Sequence, residues 1–437
     1  MQLTNLYLIF MSVAVTGFYV IAAVYFPKLY VLCTYEDMYG EWGQFFFFFA
    51  TFVFSLLNAL DSKNGRYRWF FTLLAIASFY TFMEEISWGQ RLFNLSTPEF
   101  FSEHSYQDEI NLHNLLTGPV ESWTKTALTY LMSIAFIGYG IVFPLTLKAQ
   151  WKPAVLLDHW GVVAPPLALM PAFLAAAVCE MEFFSFNEAE VAELLVAMAM
   201  AFTAFNFWLV NRTIQPSKAV FGYLLLTFAV LSTANATTTL LLNQPAQQAQ
   251  IKSRLANGYK KFAKRYKRYD HYAAIIEVLQ LYDELRPDNT VILRKIASNY
   301  EKLNQYDKAN EFINKAIEVG LRRITKKPEN VPTLISLAKS YHAIQRPEKV
   351  NFYAQTAYQI AVQKLKQADD DKQLAYWYYW LAKSCEQINR QPDALKYFRK
   401  AYKTMPDNYR YRRAYYNKRR LMEKYYDEDW TTRIYTN

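Results

Sequence analysis

Seven long apolar stretches in the first 243 of 437 residues constrain the fold more than any other feature. A helix needs about 20 apolar residues to cross the ~30 Å hydrocarbon layer of a membrane. The stretches are residues 4–26, 43–60, 69–92, 126–147, 160–180, 190–211 and 218–242. A soluble helical core cannot easily bury so many segments in so short a chain. The sequence therefore predicts an all-α polytopic transmembrane bundle of about seven spans over residues 1–243.

The charge changes sharply after the last apolar stretch. Residues 1–243 contain 10 Lys or Arg and 17 Asp or Glu, a net of −7. Residues 244–437 contain the remaining 38 Lys or Arg and 21 Asp or Glu, a net of +17. The two halves together give the overall net charge of +10. We expect two domains, 1–243 and 244–437. Positive charge alone does not specify nucleic acid, so we do not expect a nucleic-acid partner.

The charges of the loops indicate an orientation in the membrane. Loops after the first, third and fifth stretches have a net charge of −12, and cytoplasmic loops normally carry the excess of basic residues. The opposite loops carry the basic residues Lys63, Arg66, Arg68, Lys148, Lys152, Arg212 and Lys218. Seven spans then predict a bacterial inner-membrane protein with residues 244–437 in the periplasm. Lys252, Arg254, Lys260 and Lys261, directly after the last stretch, favour the reverse orientation.

A 34-residue pattern recurs in the polar second half. In residues 375–408, small residues stand at positions 8 and 20 (Ala382 and Ala394), where two helices must cross closely. Phe398 at position 24 fills the groove between them, and Pro406 at position 32 ends the second helix. This unit resembles the tetratricopeptide repeat, a helical hairpin that stacks into an α-solenoid.

The same pattern fits three earlier segments, near 256–289, 290–330 and 331–374. The starts at 290, 331 and 375 are 41 and 44 residues apart, so longer second helices are expected. A helix near 409–426 is expected to cap the stack. Such repeats are general protein-binding scaffolds, and the resemblance therefore implies protein partners without naming one.

The predicted concave surface of the repeats is basic. Its residues come from positions 2, 5, 9 and 12 of the first helices and are Asn257, Lys260, Lys264, Lys267, Arg294, Lys339 and Lys383. Ammonium and guanidinium donors that converge in a groove favour an extended acidic peptide of a partner protein. The alternative is a solvated face, or one that is attracted to anionic membrane lipids.

A polar cluster follows the third apolar stretch, where ionisable residues are costly and are candidates for function. Glu84 and Glu85 end the stretch, Glu109 and His113 are one helical turn apart, and Glu180 ends the fifth stretch. These five residues form a candidate site for a divalent metal ion, whose bound water would attack an ester or amide. The alternative is a structural network of caps and ion pairs, with Trp88 and Arg91 at the membrane interface.

The segments Glu84–Arg91 and Glu109–Asn114 resemble those of uncharacterised multi-pass bacterial membrane proteins, which implies no function. Seven-span hydrolases of the ceramidase-like kind carry paired histidines late in the bundle, and the last stretch here has none. We therefore expect an integral membrane scaffold or adaptor whose repeats recruit partner proteins of a membrane complex. A membrane-embedded metal-dependent hydrolase and a cation- or proton-coupled transporter are the alternatives.

Overall fold

The computed structural model describes residues 2–35, 38–89, 123–184, 187–212 and 214–425, and within these ranges the chain is helical with no strand. The prediction of an all-α protein is therefore confirmed for the described residues. Contacts divide the chain into two compact units, residues 1–269 and 270–437. Each unit is described separately below.

The first unit is built from eleven described α-helices with short turns and irregular segments between them. They are α1 (Gln2–Tyr25), α2 (Pro27–Thr34), α3 (Tyr39–Leu60), α4 (Arg68–Glu85), α5 (Trp123–Ile137), α6 (Phe143–Lys148), α7 (Lys152–His159), α8 (Met170–Glu180), α9 (Glu188–Asn211), α10 (Pro216–Leu242) and α11 (Pro245–Tyr266). A π-helical turn, Gly138–Val142, joins α5 to α6.

Five helical segments of this unit are long and apolar enough to cross a membrane. They are Leu3–Tyr25, Pro27–Leu60, Thr126–Lys148, Glu188–Asn211 and Lys218–Leu242. The other two predicted spans hold shorter helices. Residues 69–92 contain α4, which has charged residues at both ends, and residues 160–180 contain the short apolar helix Leu167–Glu180.

Polar side chains lie inside the bundle among buried apolar ones, and many large apolar side chains lie on its outer surface. On α3 the fully buried residues include Gln44, Thr51 and Asn58, and Asn58 donates a 2.9 Å hydrogen bond to the Ala204 carbonyl. Phe228 on α10, by contrast, is 71% exposed. A bundle surrounded by hydrocarbon must satisfy its polar groups internally. This distribution is therefore compatible with an integral membrane protein.

Hydrogen bonds define the two ends of the bundle. At one end Arg66 pairs with Asp158 at 3.1 Å. At the opposite end Asn187 Nδ2 donates to the Thr34 carbonyl at 2.8 Å, and Tyr269 donates to the Phe183 carbonyl at 3.0 Å. The chain leaves the first unit at this second end, called here the Thr34 end.

Helix α11 belongs to the first unit, although the sequence pattern predicted it as the first helix of a repeat. The Phe262 ring stacks on Tyr30 of α2 with centroids 5.2 Å apart, and Gly258 lies against Val31 and Tyr35. The repeat pattern identified the buried positions of α11 correctly. It did not predict that α2 of the bundle covers them. Eight basic residues between 252 and 268 accompany this helix, so residues 1–269 have a net charge of +1 and residues 270–437 of +9.

The second unit consists of eight described helices. They are α12 (Tyr272–Leu285), α13 (Thr290–Lys302), α14 (Tyr306–Lys326), α15 (Val331–Ala343), α16 (Pro347–Leu365), α17 (Asp371–Gln387), α18 (Gln391–Thr404) and α19 (Tyr409–Tyr425). Three consecutive hairpins, α13/α14, α15/α16 and α17/α18, pack side by side. The second helices of the first two hairpins have 21 and 19 residues, against 14 in the third, which explains the longer spacings.

The turns of these hairpins follow from their sequences. Asn304, Gln345 and Asn389 adopt left-handed backbone conformations between the two helices of each hairpin. The Asn289 side chain caps α13 by accepting hydrogen bonds from two backbone N–H groups, and Asn408 does the same for α19. Because Asn is a preferred N-cap residue, the Pro-Asp-Asn sequence recurs before both helices.

The hairpins pack closely because small residues occupy the crossing points. Ala382, Ala394 and Ala401 are completely buried, and Phe398 fills the space beside them. Helix α19 covers this core with Tyr411, Tyr415 and Met422. A helix was expected at this position to cap the stack, and α19 closes the described part of the unit.

Contact between α11 and α2 generates the first prediction. A Cβ atom at Gly258 would lie 2.9 Å from Val31 Cγ1 and 3.1 Å from the Tyr35 ring, so Gly258→Leu should destabilise the bundle by about 1–3 kcal/mol through overpacking. The measurement is the thermal midpoint of the detergent-solubilised protein. Asn257→Leu, on the exposed face of the same helix, is the control, and equal midpoints for the two variants would contradict this packing.

Candidate functional site

The first candidate site lies at the end of α4, at the Thr34 end of the bundle. Glu84 is buried and its Oε1 accepts a 2.6 Å hydrogen bond from Trp88 Nε1. Three consecutive residues, Ser87, Trp88 and Gly89, have positive φ angles of 47°, 53° and 85°. Left-handed conformations are costly for residues with a side chain. The Glu84–Trp88 hydrogen bond therefore helps to hold a strained turn that ends α4.

Other acidic residues at this end also serve as hydrogen-bond acceptors. Glu188, buried at the start of α9, accepts a 3.1 Å hydrogen bond from the Phe184 N–H. The Gln44 side chain donates to both the Glu190 carbonyl and the Glu190 carboxylate. These contacts join α3 and α9 and close the turn that precedes α9.

The predicted metal site is only partly within the described residues. Glu84, Glu85 and Glu180 are described, whereas Glu109, His113 and the interfacial Arg91 lie outside the described ranges. Among the described residues, no three His, Cys, Asp or Glu side chains are grouped as metal ligands would be. The metal site and the hydrolase that depends on it stay hypotheses from the sequence.

The second candidate site is a basic cavity of about 430 Å³ within the second unit. Its walls come from the end of α12, from α13, and from α15 and α17, the first helices of consecutive hairpins. Three features dominate its chemistry: the Arg294 guanidinium, the Lys339 ammonium and the Trp380 indole. We call it the Arg294–Lys339 cavity.

Lys339 carries a positive charge that no described group neutralises directly. Its side chain is half-buried and makes no hydrogen bond or ion pair with a described residue. Burial, reinforced by the charges of Lys383 and Arg294, lowers the pKa of Lys339 below the ordinary lysine value, although Glu386 partly offsets this effect. An acceptor placed in the cavity would relieve this cost.

Hydrogen bonds hold Arg294 in place and use only some of its N–H donors. Its Nη1 donates to the Ser336 carbonyl at 3.1 Å, to Ser336 Oγ at 2.6 Å and to Ser340 Oγ at 3.3 Å. Burial lowers its pKa to about 10, so it stays protonated at neutral pH. The guanidinium has five N–H donors, and its Nε and Nη2 make no hydrogen bond with a described residue.

The Trp380 indole adds a further donor to the same cavity. Its Nε1 is buried and has no hydrogen-bond partner among the described residues. A buried N–H group without an acceptor costs about 1–3 kcal/mol. Lys339 and Arg294 therefore present cationic donors suited to a carboxylate, and Trp380, whose N–H is buried, lines the same walls.

Lys383, predicted as a groove residue, is instead neutralised within the fold. Its ammonium lies 2.8 Å from Glu386, which also pairs with the buried Lys418 at 3.3 Å. Although burial alone would raise the pKa of Glu386, these two ammonium groups lower it below the ordinary glutamate value. Glu386 therefore joins α17 to α19 through Lys418, and Lys383 does not line the cavity.

The remaining predicted groove residues belong to the first unit. Asn257, Lys260 and Lys264 are exposed on α11, and Lys267 is exposed just after it. Sequence reasoning missed Arg286, Arg323 and Trp380, which also line the cavity. Arg286 and Arg323 lie near helix ends, outside the repeat positions from which the concave surface was predicted. Trp380 stands at a position to which the repeat pattern gives no role.

Comparison of the chain with known protein families found no family that matches, and comparison with curated proteins found no match. The function must therefore be argued from the two units themselves.

Lys339 generates a prediction about stability. Replacing this ammonium by an apolar side chain of similar length, Lys339→Met, should raise the free energy of unfolding at pH 7 by about 1 kcal/mol, because a buried charge without a partner is costly. The exposed Lys349→Met on α16 is the control and should change little. The measurement is the thermal midpoint of the purified full-length protein.

The pH dependence of this difference has a definite sign. The folded pKa of Lys339 is lowered, so the unfolded chain binds more protons between that pKa and about 10.4, and the parent protein gains stability as the pH rises. The advantage of Lys339→Met should therefore be largest near neutral pH and shrink towards pH 10. An advantage that is absent at pH 7, or that grows with pH, would contradict a desolvated ammonium.

Proposed function

We propose that the protein is an integral membrane adaptor whose second unit, a tetratricopeptide-like repeat stack, binds an acidic segment of a partner protein. The observation that carries the proposal is the Arg294–Lys339 cavity, where the Lys339 ammonium and part of the Arg294 guanidinium make no hydrogen bond or ion pair with a described residue. Acidic side chains supply the acceptors that these groups lack. Arg forms paired hydrogen bonds with carboxylates.

The form of the cavity supports a peptide ligand. Its lining comes from several helices of the unit, α12, α13, α15 and α17 among them, so a bound segment would contact several repeats at once. The Thr290 and Ser336 hydroxyls on these walls bond to each other, and Ser336 also accepts from Arg294, which holds the guanidinium in position. A single extended segment therefore fits the cavity better than a bulky globular surface.

Membrane insertion is the other half of the proposal. The chain alternates between the two ends of the bundle, which supports seven crossings, with α4 and Leu167–Glu180 as the two short ones. Among the described residues, the Thr34 end carries the acidic Glu84, Glu180 and Glu188, and the opposite end carries Arg66, Lys148, Lys152, Arg212 and Lys218. The excess of basic loop residues favours a cytoplasmic location for the opposite end, and hence a periplasmic second unit in a bacterial inner membrane.

Binding of an acidic peptide tests the adaptor function. A fluorescent peptide of alternating Asp and Glu residues should bind the full-length protein in detergent, and the affinity should fall as salt is added. Loss of a charge-assisted hydrogen bond costs about 1.5–3 kcal/mol. Lys339→Met and Arg294→Met should therefore each weaken binding about tenfold or more, as measured by fluorescence anisotropy.

Two controls make this experiment decisive. Lys349→Met removes an exposed lysine from the same unit and should leave the affinity unchanged. A neutral peptide of alternating Asn and Gln residues should not bind. Equal binding by the parent protein and by Lys339→Met, or no binding of the acidic peptide, would exclude the cavity as the peptide site.

Sidedness gives a separate prediction. A cysteine introduced at the exposed Lys372 of α17 should react with a membrane-impermeant maleimide in intact cells, whereas one introduced at Lys152, at the opposite end of the bundle, should not. The native Cys385 is buried, and burial raises its pKa to about 12, so it should contribute little background. The reverse labelling pattern would place the repeats in the cytoplasm.

A further inference from the structure

A second cavity opens on the outer surface of the bundle, in the first unit. Its volume is about 700 Å³, and its walls are formed by α9 and α10 with Phe54 of α3. One end of the cavity is charged, with Arg212 and Lys218 on either side of the short connection between the two helices. The rest is lined by apolar side chains, among them Phe205, Leu225 and Ala229.

We propose that this cavity binds one anionic phospholipid, with its phosphate at Arg212 and Lys218 and one acyl chain along α10. This inference rests on the proposed insertion of the bundle in a membrane and is independent of the acidic-peptide cavity. It names a specific bound lipid, which is more than the general contact that every membrane protein makes with the bilayer.

The polar end is built to receive a phosphate group. The Arg212 guanidinium lies 4.6 Å from the centroid of the Trp208 ring. The Trp208 Nε1 is buried and has no hydrogen-bond partner among the described residues. Lys218 lies on the first turn of α10, on the same wall. Two cations therefore meet at one end, and phosphate oxygens accept hydrogen bonds from both kinds of donor.

The apolar end has the dimensions of one membrane leaflet. From Lys218 to Ala229, α10 rises about 16 Å at 1.5 Å per residue, which is about half of the ~30 Å hydrocarbon thickness. Phe221 and Leu225 on this wall are 61% and 52% exposed. Gly222 lies close to Phe205, where a Cβ atom would be 3.0 Å from the ring. The missing side chain at Gly222 lets α10 approach α9 at the back of the cavity.

Charge complementarity identifies the lipid. Arg212 and Lys218 belong to the basic end of the bundle. The chain leaves the first unit at the other end, the Thr34 end. A zwitterionic headgroup would bring its own ammonium towards these two cations, whereas an anionic headgroup would not. The cavity should therefore prefer phosphatidylglycerol to phosphatidylcholine.

The test is native mass spectrometry of the full-length protein, delipidated in detergent and titrated with phosphatidylglycerol or phosphatidylcholine. The expected result is one tightly bound phosphatidylglycerol, with at least tenfold weaker retention of phosphatidylcholine. The double variant Arg212→Gln/Lys218→Gln should lose that preference. Lys148→Gln/Lys152→Gln, which removes two exposed cations from the same end, is the matched control and should keep it.

A cavity-filling variant tests the acyl-chain half of the site. Ala229 is exposed to the surroundings at the apolar end, so Ala229→Phe should fold normally yet reduce retention of phosphatidylglycerol several-fold. Trp208→Phe exchanges the indole against which Arg212 packs for a smaller ring, and it should weaken retention to a lesser degree. Gel filtration of every variant verifies that the fold is intact.

Several outcomes would overturn the proposal. Equal loss in the two double variants would indicate general attraction of anionic lipids to a basic face. Equal retention of both lipids would contradict the assignment of the headgroup to Arg212 and Lys218. No effect of Ala229→Phe would contradict the assignment of the acyl chain to α10. A protein that stays soluble and monodisperse without detergent would refute membrane insertion itself, whereas failed binding of the acidic peptide would leave the lipid site standing.

Discussion

Satisfaction of polar groups without water is the constraint on which the first unit depends. In hydrocarbon, each backbone N–H and C=O must find a partner inside the protein, and side-chain polar groups face the same demand. On α3 and α10, Gln44, Asn58 and Tyr223 point inward among buried apolar side chains, while Phe228 and other large apolar side chains face outward. The Asn58 bond to the Ala204 carbonyl shows how one such side chain also fixes the packing of two helices.

The second unit has an apolar core and carries most of its charge on the outside. Alanines at the helix crossings allow close contact, and asparagine caps begin α13 and α19. Against this background, the half-buried Lys339 is an exception that the fold tolerates at a cost. Lys383 and Lys418 show the usual solution in the same unit, since both pair with Glu386.

Both proposed sites place cations where the surrounding fold leaves room for an anionic ligand. In the Arg294–Lys339 cavity, the Lys339 ammonium makes no hydrogen bond or ion pair with a described residue. In the cavity of the first unit, Arg212 and Lys218 adjoin an apolar lining. An anionic ligand suits both, a carboxylate in one case and a phosphate in the other.

The sequence by itself determined the class of each part. Apolar length predicted the membrane-compatible bundle, and alanine spacing predicted the helical hairpins, because both properties depend on local periodicity. Tertiary structure alone decided what covers each buried face. It assigned α11 to the bundle through Tyr30 and Gly258, neutralised Lys383 with Glu386, and left Lys339 without a hydrogen bond or ion pair to a described residue. A repeating pattern predicts that a residue is buried. The residue that covers it comes from a distant part of the chain, and its identity is determined only when the helices pack.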